Sequence, residues 1–215
     1  MPATSHPSSV GTISVMAVDD HVLIRSGIAA IIGGEPDMHM VAEASNGLEA
    51  VARHRQHQPD VTLMDLRLGD MDGIEAMAAI RREAPEARIV ILTTFPGDYQ
   101  ASRAIRAGAR GYLLKDLLRT ELAKLVREVH AGGLVIPAGI EAELASHAED
   151  KALSLRETQV LRLVAMGHAN RRVAETLALT EETVKVHMRS ILAKLRAQDR
   201  THAVTIALKR GIIDL

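Results

Sequence analysis

The 215-residue chain contains no cysteine. That excludes a disulfide framework and any thiolate metal site. It has no apolar run of the roughly 18 residues that a membrane-spanning helix needs, so no partner membrane is expected. The first twelve residues, Met1 to Thr12, lack the basic start and apolar stretch of a secretion signal. They are rich in Pro, Ser and Thr and are expected to form a disordered tail (residues 1–12). A cytoplasmic location fits these absences. What the chain does have is apolar content, 47% of its residues, enough for a substantial core. Its length suits two domains.

The formal net charge of −1 conceals an asymmetry. Residues 152–215 hold 11 Lys/Arg against 6 Asp/Glu, a net of +5. Residues 1–151 hold 15 against 21, a net of −6. A basic C-terminal module beside an acidic N-terminal one points to a polyanionic partner for the second.

From residue 13 to 133, strand and helix patterns alternate. Ile13–Val18 is a nearly continuous apolar run ending in Asp19-Asp20, and helical spacing follows over His21–Ile32. Met38–Ala44 reads as a strand, Leu48–Arg55 as a helix, and Val61–Met64 as a strand ending on Asp65. Ile74–Glu83 is a helix, Arg88–Thr93 a strand, and Ala101–Ala107 lies in a helix stopped by Gly108. Gly111–Leu114 is a short strand ending at Lys115, and Leu118–His130 is an amphipathic helix. Continuous apolar strands alternating with helices mean a parallel sheet buried on both faces.

The carboxyl ends of parallel strands share one edge, where ligands bind in open α/β sheets. Here that edge should collect Asp19, Asp20, Asp65, Thr93 and Lys115. Three converging carboxylates repel one another unless a cation joins them. Oxygen ligands without His or Cys in the set suit a hard ion, with Mg²⁺ the leading choice. A carboxylate nucleophile, a divalent ion, an ammonium and a hydroxyl make a phosphoryl-acceptor site.

These residues, in this order at these strand ends and with Tyr112 three residues before Lys115, resemble the receiver domain of bacterial two-component response regulators. The resemblance implies a flavodoxin-like five-stranded parallel sheet in the order 2-1-3-4-5. It implies phosphorylation of Asp65 by a partner histidine kinase. It also implies Mg²⁺ held directly by Asp20 and Asp65, through water by Asp19, and by the backbone carbonyl of Arg67. Lys115 would pair with the Asp65 carboxylate and then a phosphoryl oxygen. Thr93 would hydrogen-bond the phosphoryl group, and Tyr112 would change packing as Thr93 moves. One position departs from the family: Gly69 stands where proline is usual. Glycine has the greater backbone freedom, so altered Mg²⁺ affinity or phosphoryl lifetime is expected.

Residues 134–151 read as a linker, with a short helix over Ala138–Ala148 entered through Pro137. Residues 152–215 carry four helical segments: Leu155–Met166, capped by Ser154 with Glu157 at the capping-box position; Arg171–Leu177; a third from Thr180 to about Lys194; and Thr201–Arg210. A short helix, a tight turn and a longer helix make a helix-turn-helix. In the third segment Val184, Met188, Ile191 and Leu195 share a core face. Lys185, Arg189 and Arg196 fall elsewhere, and Val186 lies nearly opposite the core stripe. An exposed valine among basic groups suits a major groove, where it can touch a thymine methyl while Lys or Arg reads guanine.

The tail resembles the LuxR-type helix-turn-helix through Leu155-x-Glu157, Val160-Leu161, Gly167-x-x-Asn170, Val173-Ala174, Thr183-Val184-Lys185-x-His187, Ile191-Leu192-x-Lys194-Leu195 and Arg200. With the receiver-like half, the chain is identified as a member of the NarL/FixJ subfamily, an all-α DNA-binding domain following an α/β receiver. The resemblance makes Lys185, Val186 and Arg189 base-edge contacts. It makes Thr183, Asn170, Arg171 and Lys194 candidates for phosphate positioning. It implies a regulator rather than an enzyme, a double-stranded DNA operator, a homodimer on activation, and RNA polymerase as a further partner.

Two other readings compete with this one. A metal-dependent phosphohydrolase using an aspartyl-phosphate would carry a second acid two residues after the nucleophile, where this chain has Arg67. A phosphorylation-independent regulator would use the acidic edge only as a protein or ligand interface, which leaves Asp65, Thr93 and Lys115 together without a purpose.

Overall fold

The computed structural model of the chain describes residues 11–94, 98–136, 141 and 153–213. The expected tail (1–12) and connector helix (138–148) fall outside these residues, apart from Gly11, Thr12 and Glu141. The chain divides into two compact units.

The first unit is built on five strands: β1 (Ile13–Val18), β2 (Met38–Ala44), β3 (Val61–Asp65), β4 (Ile89–Thr93) and β5 (Gly111–Leu114). All pairings are parallel and the order is β2-β1-β3-β4-β5. The central strands β3 and β4 are buried at every residue, the consequence of having helices on both faces. Val15, Ala17, Val61, Leu63, Val90, Leu92 and Leu113 make one face. Against it pack Ile28 and Ile32 of α1 (Val22–Gly33) and Leu122, Leu125, Val126 and Val129 of α5 (Leu118–His130). The pleat sends Met16, Val18, Met64, Ile91 and Tyr112 to the other face, where they are fully buried. There the chain adds α2 (Gly47–His57) and α3 (Gly73–Glu83). The helix α4 (Asp98–Arg106) follows β4 and is divided between the units, its residues up to Arg103 grouping with the second.

Helix ends follow their caps. The α2 helix starts one residue before the expected Leu48, because Asn46 accepts a hydrogen bond from the Glu49 amide at 2.8 Å. Asp72 and Glu75 form a capping box that fixes the start of α3, directly after the loop that leaves Asp65.

The second unit contains α6 (Leu155–Ala165), α7 (Asn170–Leu177), α8 (Glu181–Lys194) and α9 (Arg200–Lys209). Val160, Leu161 and Val164 of α6, Val173 of α7, Val184, Met188 and Ile191 of α8, and Ala203 and Ala207 of α9 meet in one core. Ser154 and Glu157 form the capping box of α6, and Thr180 caps α8 through the Thr183 amide at 3.1 Å. No helix among the described residues is long and apolar enough to cross a membrane.

Candidate functional site

Asp65 is the last residue of β3, and Asp19 and Asp20 follow β1 directly. Because β1 and β3 are adjacent and parallel, their ends bring these carboxylates together. Lys115, first residue of a 3-10 turn after β5, reaches back between them. Its Nζ lies 2.7 Å from Asp19 Oδ2 and 2.8 Å from Asp65 Oδ2. Asp19 is fully buried and Asp65 only 4% exposed, whereas Asp20 faces solvent.

Burial pushes the Asp65 carboxyl above its ordinary value, and Lys115 and the Arg67 amide, both bonded to it, only partly offset this. Burial also works against the Lys115 charge, but the bonds to Asp19 and Asp65 outweigh it and raise the ammonium above its usual value. The lysine is therefore a fixed cation.

His21, which the sequence reading left out of the site, joins the group. Its Nδ1 is 2.6 Å from Asp20 Oδ1, and its amide donates to Asp19 Oδ1 at 2.9 Å. The signal was adjacency to Asp19-Asp20. Donor atoms of Asp19, Asp20, His21 and Asp65 all lie within 4.8 Å of one another. Three carboxylates against one ammonium leave an excess of negative charge in a half-buried pocket. Those oxygen donors fit a hard divalent cation. Arg25 adds a brace, its Nη1 donating to the Asp19 carbonyl at 2.6 Å.

Thr93 ends β4 and is 2% exposed, opposite Leu114 in the ladder. Tyr112 sits in β5 with its side chain fully buried. The loop after Asp65 is held by Asp70, whose carboxylate accepts from the Gly47 and Leu48 amides at 2.8 and 2.9 Å. Gly69, in that loop, has open space where a side chain would project. Gly73 does not: a Cβ there would lie 2.0 Å from the Asp65 carbonyl oxygen.

In the second unit α8 turns its basic face outward. Lys185 and Arg189 are exposed, and Val186 is 52% exposed although it is apolar. Both cations pair with one carboxylate: Glu182 lies 3.2 Å from Lys185 Nζ and 3.4 Å from Arg189 Nη2. Thr183 bonds the Thr180 hydroxyl at 2.8 Å, and Arg171 pairs with Glu175 at 3.3 Å. The Asn170 side-chain Oδ1 accepts from Arg200 Nη1 at 3.4 Å. Lys194 is drawn inward, its Nζ 2.7 Å from the buried Glu157 carboxylate. Glu157 also accepts from Ser190 Oγ and from the Ser154 amide, both at 2.6 Å. These bonds outweigh the cost of burial and hold its carboxyl down at about 2.

The sequence matches two family profiles. The response regulator receiver domain profile covers residues 15–127, and the luxR family of bacterial regulatory proteins covers residues 151–207. The response regulator protein VraR of Staphylococcus aureus is 36% identical over 207 residues, spanning 94% of this chain and 99% of its own length. The crystal structure of ChrA, a response regulator in a heme-sensing two-component system, is 33% identical. It spans 94% of this chain and 100% of its own, with a TM-score of 0.55. A structure of the Salmonella typhimurium response regulator RcsB, determined in connection with DNA interaction, is 25% identical. It spans 91% of this chain and 97% of its own, with a TM-score of 0.61. Sheet order, strand-end chemistry and these matches converge: the chain belongs to the two-component response regulators of the NarL/FixJ subfamily, a receiver domain followed by a LuxR-type DNA-binding domain.

Proposed function

We propose that this chain is a transcription factor switched by phosphorylation of Asp65. In this reading residues 13–133 form the receiver, 134–151 the linker and 152–215 the DNA-binding domain. The observation that carries it is the Lys115 ammonium shared between Asp19 and Asp65, 2.7 and 2.8 Å away. A carboxylate oxygen of Asp65 attacks the phosphorus of a phosphohistidine on a partner kinase. The P–O bond forms as the P–N bond breaks, and its electron pair returns to the imidazole ring. Lys115 then exchanges its contact with the Asp65 carboxylate for one with a phosphoryl oxygen. The Thr93 hydroxyl donates a hydrogen bond to the phosphoryl group, and Tyr112 repacks in response. Asp19, Asp20, Asp65 and the Arg67 carbonyl would hold Mg²⁺, which when bound supplies positive charge against the phosphoryl oxygens. The new group adds roughly two negative charges at neutral pH. A bias of only ~1.4 kcal/mol between two conformers changes their ratio about tenfold.

Phosphorylation favours a homodimer that places two copies of α8 on an operator in the cytoplasm. The exposed Val186 between Lys185 and Arg189 supports base reading by these three residues. Thr183, Asn170 and Arg171 are at hand for phosphates, and Lys194 acts through its hold on Glu157. The assignment is tested with acetyl phosphate and Mg²⁺, following intact mass. Wild type should gain one phosphoryl group and Asp65→Ala none. Persistent uptake by Asp65→Ala would mean another acceptor.

A further inference from the structure

We propose that Glu182 is a sequence-reading residue of this regulator, and that it recognises a cytosine or adenine amino group in the major groove of the operator. The inference rests on the assignment of α8 to the groove. Glu182 is the second residue of that helix, and the first turns of a recognition helix are the part that reaches base edges. With Lys185, Val186 and Arg189 it completes an i, i+3, i+4, i+7 stripe, so the four side chains share one face. Val184, Met188 and Ile191 hold the opposite face in the core. Glu182 is the one acid in that outward stripe, and it is exposed.

Its contacts make the position consequential. One carboxylate oxygen faces Lys185 Nζ at 3.2 Å and the other faces Arg189 Nη2 at 3.4 Å. As the helix enters the groove, any cation that turns to a guanine edge leaves one of those oxygens uncovered. A carboxylate surrounded by phosphates and guanine acceptors is repelled. The partners the groove offers it are the amino groups, cytosine N4 and adenine N6, and an acid pairs best with cytosine N4. A half-site that places such an amino group beside the base contacted by Lys185 or Arg189 satisfies all three side chains. A half-site with only acceptors there leaves the acid bare. Glu182 thus converts two general cations into a pattern that demands an acceptor next to a donor.

The test is selection of bound duplexes from a random pool by the phosphorylated full-length chain, for wild type, Glu182→Ala and Glu182→Gln, followed by binding of single-base operator variants. Wild type should prefer cytosine at one position per half-site by about tenfold, the scale of a good side-chain–base pair. Glu182→Ala should lose the preference at that position alone, and Glu182→Gln should move it toward adenine, whose N6/N7 edge suits an amide. If Glu182→Ala binds every sequence more tightly by one common factor with the logo unchanged, the acid is only an electrostatic penalty and the proposal fails. If wild type selects no sequence while the chain remains folded, the placement of α8 in the groove fails with it.

Discussion

Asp65 and Asp19 are carboxylates held almost wholly out of water. One ammonium, Lys115, serves both. Asp65→Asn removes a buried charge while keeping the shape, so the receiver should become more stable by ~1 kcal/mol, a gain of the kind seen when a functional strain is relieved. A raised thermal midpoint together with lost phosphoryl uptake is the expected result; a lowered midpoint would mean that the ion pair outweighs the repulsion. Mg²⁺ should raise the wild-type midpoint, by about 1.4 kcal/mol of stability at tenfold over its dissociation constant, and should do much less for Asp65→Asn. At this scale the sequence was informative because strand-end residues are displayed by the strand pattern itself. Asp19, Asp65 and Lys115 each follow or end an apolar run. His21 offers only its adjacency to Asp19-Asp20 as a signal, and its approach to Asp20 depends on a rotamer.

Elements are welded by a few polar groups that span long stretches of chain. Glu157 of α6 takes hydrogen bonds from Ser190 and Lys194 of α8, 33 and 37 residues away. Its carboxyl is held at about 2 in the fold against an ordinary 4.5. Since the folded value is the lower one, the stabilisation is complete above roughly pH 4.5 and disappears as pH falls toward 2. Its size at neutral pH is at most a few kcal/mol. Circular dichroism melts of Glu157→Gln should show a destabilised helical unit at pH 7 that converges on wild type near pH 2. The sequence displayed Glu157 as a capping-box residue, but not its second role, because contacts across two helices leave no local periodicity. The loop after Asp65 offers a paired test. Gly73→Ala drives a methyl into the Asp65 carbonyl oxygen, 2.0 Å away, and should cost more than ~2 kcal/mol as an overpacked backbone contact. Gly69→Ala meets nothing within 4 Å and should leave the urea midpoint almost unchanged. Asp70→Ala uncovers the first amides of α2 and should cost about 1 kcal/mol, the usual loss at an uncapped helix start. Neither Gly73 nor Asp70 was identifiable beforehand, since each matters through a neighbour brought close only by the fold.

For the molecule as a whole, the charge division readable in composition has a direct readout. DNA affinity of the full chain should fall steeply with salt as phosphate-bound cations are released. Loss of a cation that also touches a phosphate lowers the slope of log K against log salt by about one, whereas loss of a pure base contact relaxes specificity at one position. Arg171→Ala should show the first behaviour and Lys185→Ala the second; equal slopes for Arg171→Ala and wild type would remove Arg171 from the phosphate set. The sequence conveyed the two-part layout because composition shifts sharply near residue 152. It did not convey how the first part lets go of the chain. Beyond α5, Val135 lies alongside Gly111 as a parallel bridge. The Tyr112 amide donates to the Val135 carbonyl at 3.0 Å, and the Val135 amide to the Arg110 carbonyl at 3.0 Å. The departing polypeptide is thus laced to the very strand that bears the buried phenol and terminates at the lysine. Any slip of that strand along its neighbour would therefore carry Val135 with it, so a shift at the lysine end of β5 is also a shift of the residue that follows α5 and its glycines.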